Sequence, residues 1–164
     1  MLVKKDILLE YLKLKKQNLP LELGVLILKP DCLPEEITEL KYFAINNDLE
    51  ILFEKQIKFS YIEVIALYPE SFCYSDNDLI FGINWKEETL KYMTSGPSIC
   101  YLFKGENSIS KLAKFKYLLR EKYGKLTRPN FPLSPEEFNE RVIRNFVHVA
   151  DSDETQSALW ILFS

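Results

Sequence analysis

Histidine is almost missing from this 164-residue chain: the only one is His148. One imidazole excludes a histidine-rich metal site. Cysteine is also scarce. Cys32, Cys73 and Cys100 are odd in number, far apart and form no C-x-x-C, so neither a zinc cluster nor a disulfide framework is expected. They read as reduced thiols of a cytoplasmic protein. Only five glycines occur. None falls in a G-x-x-x-x-G-K-[ST] phosphate loop or a G-x-G-x-x-G dinucleotide fingerprint, and no G-x-S-x-G nucleophile elbow is present. No apolar run approaches the roughly 18 residues that span a bilayer. The first 17 residues, MLVKKDILLEYLKLKKQ, carry charges throughout and lack the apolar centre of a signal peptide. Excess positive charge is missing as well. The net charge is −3 and the pI about 5.4, so no overall field favours nucleic acid, and neither nucleic acid nor membrane is expected as a partner.

What is present suits one globular domain with a sizeable core: 47% of residues are hydrophobic and 27% charged. Ile7, Leu8, Tyr11, Leu12 and Leu14 recur at helical spacing and predict an amphipathic helix over 5–17, ended before Pro20. LGVLIL (23–28) is a near-continuous apolar run of the kind a buried strand shows. Pro34 with Glu35 and Glu36 starts a helix that runs to Asn46–Asn47. A strand is predicted over 49–59, a short helix over 61–68, and a loop over 69–82. A helix follows over 86–93, then a strand at 98–103. The apolar periodicity of 108–124 predicts a helix closing on Gly124. Residues 125–140 hold three prolines and read as a long loop with a helical turn at 135–140. A fourth strand is expected in VIRNFVHVA (142–150), then a short helix over 153–159, with WILF ending the chain.

Four strands with helices between them predict an α+β fold. The leading candidate is a ferredoxin-like four-stranded antiparallel sheet covered by helices, with an extra N-terminal helix. The expected organisation is an N-terminal helical extension over 1–20 and one domain over 21–164.

Four short segments then stand in order: KPD (29–31) after the first strand, KYMTSGP (91–97) before the third, KGEN (104–107) after it, and RNFVHVADS (144–152) near the C-terminus. In this order and spacing they resemble the nucleoside diphosphate kinase family, which reads K-P-D, Y-M-x-S-G-P, E-G-x-N and R-N-[VI]-[IV]-H-G-S-D-S. The resemblance runs from about Leu23 to Phe163. It implies an enzyme that moves the terminal phosphate of a nucleoside triphosphate to a diphosphate by a ping-pong route, with ATP or another triphosphate carried as its Mg²⁺ complex. Nucleoside di- and triphosphates are the implied partners, and a homo-oligomer is expected. The chemistry is coherent, because an imidazole is largely neutral near pH 7 and can act as a nucleophile, while the transferring phosphoryl group needs cations around it.

By match to the family, His148 is the phosphorylated nucleophile and Lys29 the phosphate clamp. Asn145 is the contact to the sugar hydroxyl, Tyr68 the tyrosine bordering the histidine, and Trp85 the aromatic stacked on the base. The family arginine of T-I-R-G-D-F falls on Arg128 in LTRPNF. The arginine expected in the helix after KGEN falls on Ala113, with Lys114 beside it as a substitute. The departures are specific. Ala150 replaces the family serine two residues after the histidine, and Val149 the intervening glycine. Ala158 or Leu159 stands where a glutamate orients the ring. Insertions lie between Tyr68 and Trp85 and between LTRPNF and the histidine strand. These losses leave an alternative of another class: a nucleotide-binding or assembly module that keeps the fold without turnover. Taken without the resemblance, each residue also has a plain structural role, His148 as a strand-end residue and Lys111, Lys114 and Lys116 as a solvated helix face.

Overall fold

The computed structural model describes residues 4–68, 79–127, 129 and 131–162. Its centre is a four-stranded sheet made of β1 (Leu21–Leu28), β2 (Glu50–Ile57), β5 (Ser98–Glu106) and β6 (Val147–Val149), in the order β2-β5-β1-β6. Every neighbouring pair is antiparallel. β1 and β2 therefore run parallel with β5 between them, and β5 and β6 run parallel with β1 between them. This is the split βαβ arrangement expected from the sequence, with α2 (Pro34–Asn46) and α5 (Ser108–Lys122) as the crossover helices.

The alternation of β1 explains the two layers. Leu23, Val25 and Ile27 join Cys100 and Leu102 in one apolar layer, covered by α1 (Lys4–Gln17), α3 (Tyr61–Leu67), α4 (Trp85–Met93) and α7 (Thr155–Leu162). Leu26 and Leu28 join Tyr101, Phe103, Val147 and Val149 in the other, covered by α2 and α5. Both faces of β1 are buried, and for that reason its sequence reads as an unbroken apolar run. α1 contributes Ile7, Tyr11 and Leu14 to the first layer and lies directly on the sheet.

Local chemistry sets the helix boundaries. Pro34 opens α2, and the Glu36 carboxylate reaches back to the Leu33 N–H. Ser60 and Glu63 form a reciprocal box at the start of α3. Asn84 accepts the Glu87 N–H at 3.1 Å and starts α4. Asn107, ahead of α5, has φ 52° and offers no side-chain cap. Glu22 of β1 supplies the missing acceptor, taking the Ile109 N–H at 2.9 Å and pinning the helix to the sheet.

Three elements differ from the sequence reading. The loop expected over 69–82 ends in a hairpin, β3 (Leu79–Ile80) and β4 (Ile83–Asn84), turned by Phe81 and Gly82 at φ 48° and 78°. Two consecutive positive φ values match the right-handed twist of a hairpin. The rest of that loop lies outside the described residues. The turn at 135–140 is a helix α6 (Pro135–Phe138) that widens into a π-helix over Asn139–Ile143, so the last strand begins only at Val147. The final helix absorbs Trp160, Ile161 and Leu162, because Leu159 and Leu162 reach the core at helical spacing. Among the described residues no helix is long and apolar enough to cross a membrane.

Candidate functional site

A cleft of about 520 Å³ opens beside the outer edge of β6. Lys29, from the end of β1, lies in it with Tyr68 from the end of α3, Trp85 from the start of α4, Asn145 from the segment before β6, and His148 from β6 itself. Five of the seven residues picked out in the sequence thus share one cavity. Arg128 lies outside the described residues. Lys114 is exposed and does not line the cleft, because it sits on the outer face of α5. Two residues along a helix is a turn of about 200°, so Lys116 takes the inward position that Lys114 cannot. Lys116 and Arg120 are four residues apart on one face, flanking the buried stripe Leu112, Phe115 and Leu119.

Arg120 is the residue that sequence matching missed. It is buried, donates from Nη2 to the Val147 carbonyl at 2.7 Å and from Nη1 to Thr127 Oγ1 at 3.0 Å, and leaves Nε without a partner. It therefore satisfies the outer edge of β6 next to His148 and also brings a guanidinium to the cleft. Its signal in the sequence was the pairing with Lys116 beside an apolar stripe.

Lys29 is equally enclosed, with 5% of its surface exposed. Its ammonium donates to Asn145 Oδ1 at 2.6 Å and lies 5.5 Å from the centre of the Tyr92 ring. The Asn145 amide in turn donates to the Val142 carbonyl at 2.7 Å, which fixes its orientation. Burial first, then the Arg120 charge, pulls the Lys29 pKa down to about 7, against an opposing pull from Asp31. Lys116 is shifted in the same direction, by burial and then by Arg120. Asp31 opposes the shift at Lys29, and Glu154 and Asp151 oppose it at Lys116, but none of the described residues lining the cleft is an Asp or Glu.

The backbone leading to His148 is held in an unusual shape. Phe146 has φ 66°, a costly conformation for an aromatic residue. Its N–H donates to the Tyr92 hydroxyl at 3.3 Å, and that hydroxyl donates to Asp31. Its carbonyl accepts the Lys29 N–H at 2.7 Å and the Cys32 thiol at 3.1 Å. KPD and the segment KYMTSGP thus meet at the entry to the histidine strand.

His148 pairs with Ile27 across β1 and β6, with the Tyr68 ring tilted over it at 4.6 Å between centroids. Burial lowers its pKa from the ordinary value; Glu154 pulls it up, and Lys29 and Lys116 push it down. The imidazole is therefore neutral at pH 7, the state a nucleophile needs. Nε2 is enclosed and lies 3.3 Å from Glu154 Oε2, at ion-pair distance but without hydrogen-bond geometry. Glu154 was not picked out in the sequence, where its only mark was its place in D-x-x-E at the helix start. Ala150 and Leu159 are both buried in the core, so neither reaches the imidazole with a polar atom.

No family model matches the sequence, and no curated protein matches it. Solved structures do. A nucleoside diphosphate kinase from Pyrobaculum aerophilum superposes with a TM-score of 0.59 at 23% identity, over 88% of this chain and 97% of that one. The Aquifex aeolicus nucleoside diphosphate kinase gives 0.58 at 20%, over 88% and 96%. The Borrelia burgdorferi enzyme, whose structure is a transition-state mimic with bound vanadate and ADP, gives 0.56 at 16%, over 88% of each. The chain has the fold of the nucleoside diphosphate kinases.

Proposed function

We propose that the cleft takes nucleoside triphosphates and diphosphates and that His148 carries the terminal phosphoryl group between them. The observation that carries this reading is the position of the one histidine. It lines a cleft with three enclosed or half-enclosed cations, Lys29, Lys116 and Arg120, within the nucleoside diphosphate kinase fold. Three cations on the wall of a cleft whose described lining holds no carboxylate favour a polyanionic ligand, since a phosphate chain relieves both their mutual repulsion and their lost hydration. Asn145, held by Lys29, offers its amide edge to a sugar hydroxyl, and Trp85 gives the cleft an aromatic surface for a base.

In the first half-reaction the lone pair on the open imidazole nitrogen attacks the terminal phosphorus, and the bond from that phosphorus to the bridging oxygen breaks. The electron pair leaves with the diphosphate. A second diphosphate then attacks the phosphoryl-histidine, and the nitrogen–phosphorus pair returns to the ring. Lys29, Lys116 and Arg120 stabilise the charge that gathers on the phosphoryl oxygens. Among the described residues no group of three or more His, Cys, Asp or Glu side chains is arranged to hold a metal, so Mg²⁺ would arrive with the nucleotide as part of the substrate.

Burial of Ala150 and Leu159 at two family polar positions favours a second reading, a nucleotide-binding module without turnover. Intact mass after brief incubation with ATP and Mg²⁺, beside His148→Ala, separates the two. An acid-labile gain of one phosphoryl group is expected, absent from the variant and discharged by a diphosphate. Nucleotide binding by calorimetry with no adduct would leave only the binding module.

A further inference from the structure

We infer that Glu154 is the positioning residue of His148: its carboxylate keeps the ring proton on Nε2, turns Nδ1 to the cleft, and offsets the charge the ring gains on taking a phosphoryl group. The charge offset rests on the proposed function; the place of the proton and the orientation of the ring do not.

Nε2 is the enclosed ring nitrogen, and Glu154 Oε2 lies 3.3 Å from it, the two side chains being 12% and 23% exposed. A neutral imidazole carries one N–H, and the partner of one nitrogen decides which of the two holds it. The carboxylate stands at ion-pair distance and can only accept, so its charge holds the proton on Nε2 and leaves the lone pair on Nδ1. His148 lines the cleft and Glu154 does not, so the nitrogen away from Glu154 is the one the cleft reaches.

The acid is also held rigidly. Glu154 closes a D-x-x-E box at the start of α7. Its Oε2 accepts the Asp151 N–H at 3.3 Å, while Asp151 Oδ1 accepts the Asp153 N–H at 3.0 Å and the Glu154 N–H at 2.9 Å. Ala150 just before it donates to the Val25 carbonyl at 3.1 Å, so the box hangs directly from the sheet edge that carries His148. The short chain between ring and acid, tied at both ends, sets the distance between them.

Charge completes the arrangement. The groups facing the ring from the other elements are Lys29 at the end of β1, Tyr68 at the end of α3, and Lys116 and Arg120 on α5. All are cationic or neutral. When Nδ1 bonds to phosphorus the ring becomes a cation with its proton still on Nε2, in a wall of cations. Glu154 supplies the opposing charge until the phosphoryl group leaves and the pair returns to Nδ1. The acid thus comes from the start of the last helix, whereas further along that helix Leu159 is buried in the core.

A lone histidine makes the test direct, since every imidazole signal belongs to His148. Long-range ¹⁵N–¹H spectra of the full chain, without nucleotide, give tautomer and titration midpoint together. The Nε2–H tautomer is expected in the wild type. Glu154→Gln keeps an acceptor for the helix-start bond and loses the charge, so its midpoint should fall. Glu154→Ala should give mixed tautomers. Asp153→Asn, the same charge change at an exposed neighbour, should leave both readouts unmoved. In the phosphorylation assay Glu154→Gln should slow adduct formation roughly 10–100-fold, as loss of an imidazole's orienting partner does at metal-bound histidines, with little change in KM. A wild-type Nδ1–H tautomer, or an unmoved midpoint in Glu154→Gln, would overturn the inference. If the wild type takes no phosphate while both spectral results hold, the proposed function fails and Glu154's hold on the ring stands. If the wild type is phosphorylated and Glu154→Gln matches it in rate, midpoint and tautomer, the function stands and the inference fails.

Discussion

In the proposed reaction Lys29 and His148 set opposite limits on the pH range of the cleft. The proposed attack needs a neutral His148, and burial lowers its pKa, so the rising limb of kcat/KM should lie below the ordinary imidazole value. Lys29 attracts phosphate only when protonated, and its pKa of about 7 in the free protein puts the falling limb there. The expected profile of kcat/KM is a narrow bell, measurable from initial rates across pH ~5–9. A flat profile through pH ~8 would count against Lys29 as the clamp. A bound triphosphate should pull the Lys29 pKa back up, so binding at pH ~8 should take up protons; calorimetry in buffers of different ionisation enthalpy reads this directly. The same shift is a stability statement. The folded pKa is lower than the unfolded one, so the unfolded chain binds more protons between the two values. The penalty is complete below pH 7 and fades as pH rises toward 10.5. Lys29→Met should therefore stabilise the protein at pH ~6 by roughly 2–5 kcal/mol, lose that gain at high pH, and abolish turnover. Denaturant titrations at two pH values check it. KPD and the histidine segment were legible because their residues are adjacent in sequence and keep their order. Arg120 and Glu154 were not, because only the packing of α5 brings Arg120 into the cleft and only the placement of the turn before α7 brings Glu154 to the ring.

At the scale of elements, the path of α5 decides whether the cations reach the cleft. The helix crosses β1 at Gly24, where an added methyl group would sit 2.7 Å from Leu112 Cδ1 and 2.9 Å from Ser108 Oγ. Gly24 is thus required by close approach of helix and strand, the reason a glycine interrupts an otherwise apolar strand. Gly24→Ala should cost roughly 1–3 kcal/mol and lift α5 off the sheet. Since Lys116 and Arg120 ride on that helix, KM for the triphosphate should rise as well, while the His148 tautomer, set by α7, should stay. A variant as stable as the wild type, with unchanged KM, would mean that α5 absorbs the methyl group locally. Elements with strong periodicity or clear end signals were readable in the sequence, α1, α2 and α5 among them. The π-helix over Asn139–Ile143 was not, since its wide turn gives no standard period. The strand before His148 was overread for a related reason. VIRNFV carries the alternation of a strand, but Phe146 at φ 66° turns the chain before pairing begins.

For the whole molecule, the question is what covers the sheet. Helices lie on both faces, and α1 fills part of the face it shares with α3 and α7. Ile7, Tyr11 and Leu14 are buried among Leu23, Val25 and Ala158, so the N-terminal helix shares its apolar layer with β1 and α7. The ion pair of Glu10 with Lys104 at 2.7 Å adds little, since partly exposed pairs of this kind contribute about 0–1 kcal/mol. Burial of the apolar side chains contributes more. Leu14→Ala should cost about 2–5 kcal/mol, the range for a leucine removed from a packed core. Removal of the first helix should do more, exposing β1 to water along one face, and should end cooperative unfolding. The cleft lies elsewhere on the sheet, lined by none of these α1 residues. Leu14→Ala should therefore lower the midpoint of thermal unfolding and leave the extent of His148 phosphorylation in the folded protein unchanged. A truncated chain that unfolds cooperatively at the wild-type temperature would show that α1 is an appendage. A destabilised Leu14→Ala protein with a silent His148 would show instead that this layer of the core and the cleft are coupled through α7, whose apolar face packs with α1 and whose first turn holds the acid beside the ring.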